Sequence, residues 1–155
     1  YGIEKFCKKA KEIRVQGLII PDFPFDEEKG DQLLQSCSKN NLAFIQVIAS
    51  TTKPDRMKKI VKSATGFVYC MARTGITGKK TEISPDTIKY LNKVKKICPL
   101  PTAVGFGLSD KAQVKALSKH ADIMVVGSAL IKAYANKSIK DGLNAIERFM
   151  KKLKN

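Results

Sequence analysis

Apolar residues follow two alternating spacings along this chain. Ile3, Phe6, Cys7, Ala10 and Ile13 recur every three or four residues, the spacing of one helix face. Gly17 to Asp22 then reads as a short apolar run ending in a turn, a strand pattern typical of parallel sheets covered by helices. A helix is predicted from about Gly30 to Asn40, burying Leu33, Leu34 and Cys37. Leu42 to Ala49 is the next strand, and Pro54 suits the first position of the helix after it. Gly66 to Met71 is a third strand, followed by a long polar loop from Ala72 to Ile83. Ser84, with Pro85 behind it, is placed to cap a helix that buries Ile88, Leu91 and Val94. Pro101 to Phe106 is a fourth strand, with Ser109 predicted to cap the next helix. Ile123 to Val126 is the last strand. A helical pattern then runs to the end through Leu143, Ile146, Phe149 and Leu153.

Five strand-helix units preceded by one helix argue for a parallel sheet. Both a doubly wound sheet and a (β/α)₈ barrel fit that alternation. Two glycine turns favour the barrel. Thr102-Ala-Val-Gly-Phe-Gly107 and Asp122-Ile-Met-Val-Val-Gly-Ser128 each break an apolar run at glycine and lead into a helix. Glycine lets the backbone approach a ligand, and a fresh helix N-terminus aims N–H groups at it. Parallel barrels hold a phosphate after their last two strands. The expected fold is therefore α/β, a parallel (β/α)₈ TIM barrel. A complete barrel has eight strands and typically at least about 200 residues. Residues 1–155 then read as a single domain supplying the last five units, with three more expected before Tyr1.

Hydrophobic content of 43% and charged content of 28% are ordinary for a globular protein. The net charge of +15 raises nucleic acid or an anionic membrane as partner. The lysines favour a blander reading. Lys8, Lys9, Lys58, Lys59, Lys95, Lys96, Lys151 and Lys152 all fall on amphipathic helices, with Phe6, Ile60, Val94 and Leu153 supplying the buried side. No basic-aromatic platform accompanies them. Neither nucleic acid nor a membrane is the expected partner. Cys7, Cys37, Cys70 and Cys98 lack metal or redox spacing and read as small buried hydrophobes, consistent with a cytoplasmic location.

The loop after the third strand, Ala72-Arg-Thr-Gly-Ile-Thr-Gly78, has glycines around a threonine. It reads either as an ordinary connection or as a lid that closes over a ligand. With the other segments it carries a resemblance. Ile20-Pro-Asp-Phe-Pro-Phe-Asp-Glu-Glu28, Gly66-Phe-Val-Tyr69, Arg73-Thr-Gly-Ile-Thr-Gly78, Val104-Gly-Phe-Gly-Leu-Ser109 and Val126-Gly-Ser-Ala-Leu130 stand in the order and spacing of the tryptophan synthase alpha subunit family. The sequence resembles that family over its whole length. It departs at Arg14, where the family often has glycine, and at Ala49-Ser50, which replaces a proline-containing turn.

The resemblance implies a lyase that cleaves indole-3-glycerol phosphate to indole and glyceraldehyde 3-phosphate in tryptophan biosynthesis. It implies no metal or organic cofactor in this subunit. It also implies an alpha2beta2 complex in which the beta subunit carries pyridoxal phosphate and receives the indole. The family's phosphate site maps to Gly78, Gly107, Gly127 and Ser128. Its indole pocket maps to Tyr69 and Phe106, and its lid to Arg73, Gly75 and Thr77. Read without the resemblance, Tyr69 and Phe106 fit plain barrel core better than a binding pocket. The family's catalytic glutamate and aspartate belong to a segment expected before Tyr1, so no catalytic residue is assigned in this chain. Asp110 reads as a helix first-turn residue. Asp22, at a strand end, is the single carboxylate candidate. Two alternatives remain: another phosphate-binding barrel, such as an indoleglycerol-phosphate synthase or an epimerase, and a non-catalytic half-barrel that only binds.

Overall fold

The computed structural model describes residues 1–23, 28–72 and 83–154, with the side chains of residues 28 and 29 outside the description. Five strands, β1 (Gly17–Ile19), β2 (Ala43–Ala49), β3 (Val68–Met71), β4 (Thr102–Gly105) and β5 (Ile123–Val125), form one sheet in sequence order. Every neighbouring pair is parallel. Helix α1 (Ile3–Glu12) precedes β1; α2 (Glu28–Lys39), α3 (Pro54–Ser63), α4 (Pro85–Ile97) and α5 (Lys111–Leu117) lie between successive strands; α6 (Ser128–Tyr134) and α7 (Ile139–Lys154) follow β5. The result is a curled half-barrel, a partial (β/α) barrel, the alternative that the two glycine turns favour over a doubly wound sheet. Parallel neighbours need a crossover, and α2, α3, α4 and α5 supply the four.

Helices cover one face of the sheet. Ile48, Val68, Cys70, Val104 and Phe106 pack there with Met57, Ile60, Leu91, Val94 and Leu117. A smaller cluster joins α1 and α2 to β1 through Cys7, Leu18, Leu33, Cys37 and Phe44. All four cysteines are buried and free, as small apolar side chains. Burial pushes the Cys37 and Cys70 thiols up to about 12, so neither supplies a thiolate nucleophile. The eight lysines singled out above are exposed.

Local chemistry explains most element ends and several departures from expectation. Ser84 caps α4 by accepting from Thr87 N at 3.2 Å, and Pro54 opens α3. The cap of α5 is Asp110 and not Ser109. The Asp110 carboxylate accepts from Gln113 N at 2.9 Å, while Ser109 N donates to Gln113 Oε1 at 2.9 Å. A carboxylate is the stronger acceptor for helix-end N–H groups. The C-terminal helical pattern is broken in two, because Ser138 starts a new helix by accepting from Asp141 N at 3.2 Å. Phe6 is 44% exposed, so Cys7 and Ala10 form the buried side of α1. Leu143 is also exposed, and Leu34 and Ile88 are half-buried. Strand β1 is three residues long, shorter than the apolar run that contains it.

Arg14 has φ of 64°. That is the left-handed region, costly for a residue with a Cβ. The backbone at this position thus favours glycine over the arginine that stands there.

Candidate active site

In a parallel sheet all strands end on the same edge, so the turns after β1 to β5 share one rim. Strand β4 ends at Gly105, paired with Val125 of β5. Gly107 and Gly127 therefore leave neighbouring strands in the same direction. Gly107 has φ of 72°, a left-handed turn that suits glycine. Leu108 behind it is buried and anchors the turn. Gly127 is the N-cap residue of α6, and a Cβ built there meets nothing within 4 Å. Leu130 N and Ile131 N bond to Gly127 O at 2.9 and 3.3 Å. Those are the first bonds of the turn, so the helix itself leaves the N–H groups of Ser128 and Ala129 unpaired.

Tyr69 and Gly105 meet on the sheet face opposite the helices. A Cβ at Gly105 would overlap the Tyr69 hydroxyl and lie 2.5 Å from its Cζ. With Tyr69 in this position there is no room for a Cβ, a side-chain constraint that the Val-Gly-Phe-Gly motif signalled only as a turn. Phe106 is 2% exposed and belongs to the cluster between sheet and helices. Ile19, Met71 and Ile123 are exposed and, by strand alternation, stand on the face opposite the helices. That concave face is apolar, as a barrel interior is. Asp22 is exposed just after β1. Asp110 is committed to capping α5. Arg73, Gly75, Thr77 and Gly78, and with them the lid and one part of the phosphate site, lie outside the described residues.

The opposite rim carries a clamp that the sequence did not reveal. Asp122 Oδ2 accepts from Thr102 N at 2.8 Å and Thr102 Oγ1 at 2.9 Å, and Asp122 Oδ1 pairs with Lys95 at 3.1 Å. The Thr102 N–H, followed by Lys95, holds the Asp122 carboxyl below its ordinary range. Deeper in, the Tyr90 hydroxyl donates to Ile48 O at 2.6 Å, tying α4 to β2. Burial raises the Tyr90 pKa and keeps the phenol neutral. Among the described residues no three His, Cys, Asp or Glu side chains gather as a metal cage. No described helix is long and apolar enough to cross a membrane.

Comparison with known proteins matches this geometry to one family. A family model described as "Tryptophan synthase alpha chain" matches residues 1–155. A tryptophan synthase alpha chain from Halalkalibacterium halodurans is 39% identical over 161 residues, covering 99% of this chain and 60% of the relative. One from Methanocaldococcus jannaschii is 40% identical over 131 residues, covering 84% and 46%. A solved structure of the tryptophan synthase α2β2 complex from Pyrococcus furiosus superposes with a TM-score of 0.87 at 30% identity, covering 98% of this chain and 60% of that chain. Tryptophan synthase from Mycobacterium tuberculosis gives a TM-score of 0.84 at 29% identity, covering 99% and 56%. The chain spans about 60% of the length of the first curated relatives it matches.

Proposed function

The chain belongs to the tryptophan synthase alpha chain family, and from that premise we propose that it serves a lyase cleaving indole-3-glycerol phosphate to indole and glyceraldehyde 3-phosphate. The observation that carries this reading is the family match over residues 1–155, with two glycine turns side by side on one rim. Residues 1–155 act as one domain of this enzyme, bearing its phosphate side.

The substrate phosphate is bound by the N–H groups of Gly107, Gly127 and Ser128, with Gly78 closing the site. Backbone N–H groups suit a dianion because charge-assisted hydrogen bonds are about twice as strong as neutral ones. The open space at Gly127 supports this role. The indole ring lies in the pocket assigned to Tyr69 and Phe106, where stacking on the Tyr69 ring contributes on the order of 1 kcal/mol beyond area. Tyr69 offers its ring from the concave face. Phe106, held in the core, forms the floor behind Gly105. Arg73, Gly75 and Thr77 belong to the lid that excludes water.

On this reading the glutamate and aspartate that exchange protons with substrate lie outside residues 1–155. The chain positions substrate and does not itself transfer the protons. No cofactor is used in this subunit. A beta subunit, in an α2β2 complex in the cytoplasm, carries pyridoxal phosphate and consumes the indole.

The test is binding of glycerol phosphate by calorimetry to the natural full-length protein and to its Gly127→Val variant. A branched side chain in the open space should abolish saturable binding. Unchanged affinity would reject the phosphate site. Indole release then tests the rest: the full-length protein should turn over, and residues 1–155 alone should not. A positioned acid or base gives typically 10²–10⁴-fold in rate, so turnover by residues 1–155 equal to that of the whole would place the acid and base inside this chain.

A further inference from the structure

The turn from β4 to α5 carries Gly107, so whatever holds that turn decides where its N–H groups point. Phe106 and Leu108, on either side of Gly107, are 2% and 1% exposed and belong to the main core cluster. They anchor the turn through their side chains. Gly107 between them has φ of 72° and no side chain to anchor. Glycine is the most freely rotating residue of a chain, so a turn built on it needs a further fixed point on its other side.

Gln113 supplies that point. It is a buried polar side chain on α5, where Leu117 is the other buried residue. Gln113 Oε1 accepts from Ser109 N at 2.9 Å and from Ser109 Oγ at 3.4 Å. The Gln113 N–H donates in turn to Asp110 Oδ1 at 2.9 Å. The arrangement is a capping box displaced by one residue. In the usual box the side chain at the third helical position returns to the N-cap residue. Here it reaches past the N-cap residue, Asp110, to Ser109. Starting the helix needs only the Asp110 half of the pair. The other half ties α5 to the glycine turn. A buried amide is unfavourable unless it is hydrogen-bonded, and this one is satisfied at the turn.

We propose that Gln113 is a positioning residue for the substrate phosphate: by holding the Ser109 N–H, it fixes the Gly107 turn in the geometry that receives the anion. The inference rests on the phosphate role of Gly107 proposed above and adds a residue that does not touch the ligand. Donors set in place before the ligand arrives bind it without a further ordering cost. The Ser109 N–H is committed to Gln113, so the phosphate draws on Gly107 from this turn and on Gly127 and Ser128 from the next.

Two ligands separate this role from a merely structural one. Glycerol phosphate and indole are titrated by calorimetry into the natural full-length protein and into its Gln113→Met variant, which keeps the side-chain length and removes the acceptor. Glycerol phosphate should bind Gln113→Met about five-fold more weakly, the scale of one neutral hydrogen bond, with indole affinity unchanged. Equal losses for both ligands would overturn the positioning role. A wild type that does not bind glycerol phosphate would sink the phosphate site itself, and this inference with it. Saturable binding by the wild type that Gln113→Met leaves intact would sink the inference alone. Amide hydrogen exchange without ligand reads the contact directly. The Ser109 N–H should be protected in the wild type, exchange freely in Gln113→Met, and be protected again in Gln113→Glu, which restores an acceptor. Free exchange of the Ser109 amide in the wild type would overturn the proposal without any variant.

Discussion

Truncating Asp122 should destabilise the fold through a residue it touches rather than through its own burial. Its carboxylate accepts from Thr102 N and Thr102 Oγ1 at 2.8 and 2.9 Å, and Thr102 is 1% exposed. In Asp122→Ala those two donors lose their acceptor. A hydrogen bond to a charged group contributes about 1.5–3 kcal/mol, and a donor left unmade in the interior costs about 1–3 kcal/mol. The Asp122 side chain is 41% exposed, so water can enter where the carboxylate stood, and the lower end of each range applies. The ion pair with Lys95 is itself half-exposed and adds at most about 1 kcal/mol. The total for Asp122→Ala is about 3 kcal/mol. Asp122→Asn keeps an acceptor for Thr102 and should cost about 1 kcal/mol. Urea unfolding of the natural full-length protein at pH 7, followed by circular dichroism, measures both. The sign of the pH dependence follows from the depressed Asp122 pKa. The stabilisation is complete above the ordinary carboxyl value of 3.8 and is lost as pH falls through the lower folded value. The gap between the wild type and Asp122→Asn should hold from pH 7 to about pH 5 and close below about pH 4. An Ala variant within about 0.5 kcal/mol of the wild type, the usual range for a neutral surface change, would refute the clamp. A gap constant down to pH 3 would refute the titration argument.

Other outcomes follow from single contacts. Gly105→Ala places a methyl on the Tyr69 phenol and should cost about 1–3 kcal/mol by overpacking; adding Tyr69→Ala should relieve it, and strictly additive unfolding energies in the double-mutant cycle would show that the two do not touch. Arg14→Gly should stabilise by up to about 1 kcal/mol by relieving a left-handed φ of 64°; a lower melting temperature would contradict this. Tyr90→Phe removes the 2.6 Å bond to Ile48 O and should cost about 1–2 kcal/mol, read as a shift of the urea midpoint.

The order of elements was legible from hydrophobic spacing alone, because a buried parallel strand and an amphipathic helix leave different periods in a chain. The local helix starts were also legible: Pro54 and Ser84 act only on their own turns. So was the rim bearing Gly107 and Gly127, since parallel strands must end on one side. What the sequence left open depends on which distant atoms meet. Ser109 and Asp110 are adjacent and both are good caps; the position of Gln113 decides that Asp110 caps α5 and Ser109 pairs with the Gln113 side chain. Phe6 keeps perfect helical spacing yet stays exposed, because α2 packs on the side that presents Cys7 and Ala10. Gly105 reads as a turn glycine until Tyr69, 36 positions earlier in the numbering, is seen to fill the space of its missing side chain. Asp122 reads only as the first residue of the last strand's segment until β4 and β5 are paired and Thr102 comes within reach. Periodicity and caps are local, so one dimension records them. Steric need and shared hydrogen bonds arise between residues far apart in the chain, and only the packed structure decides them.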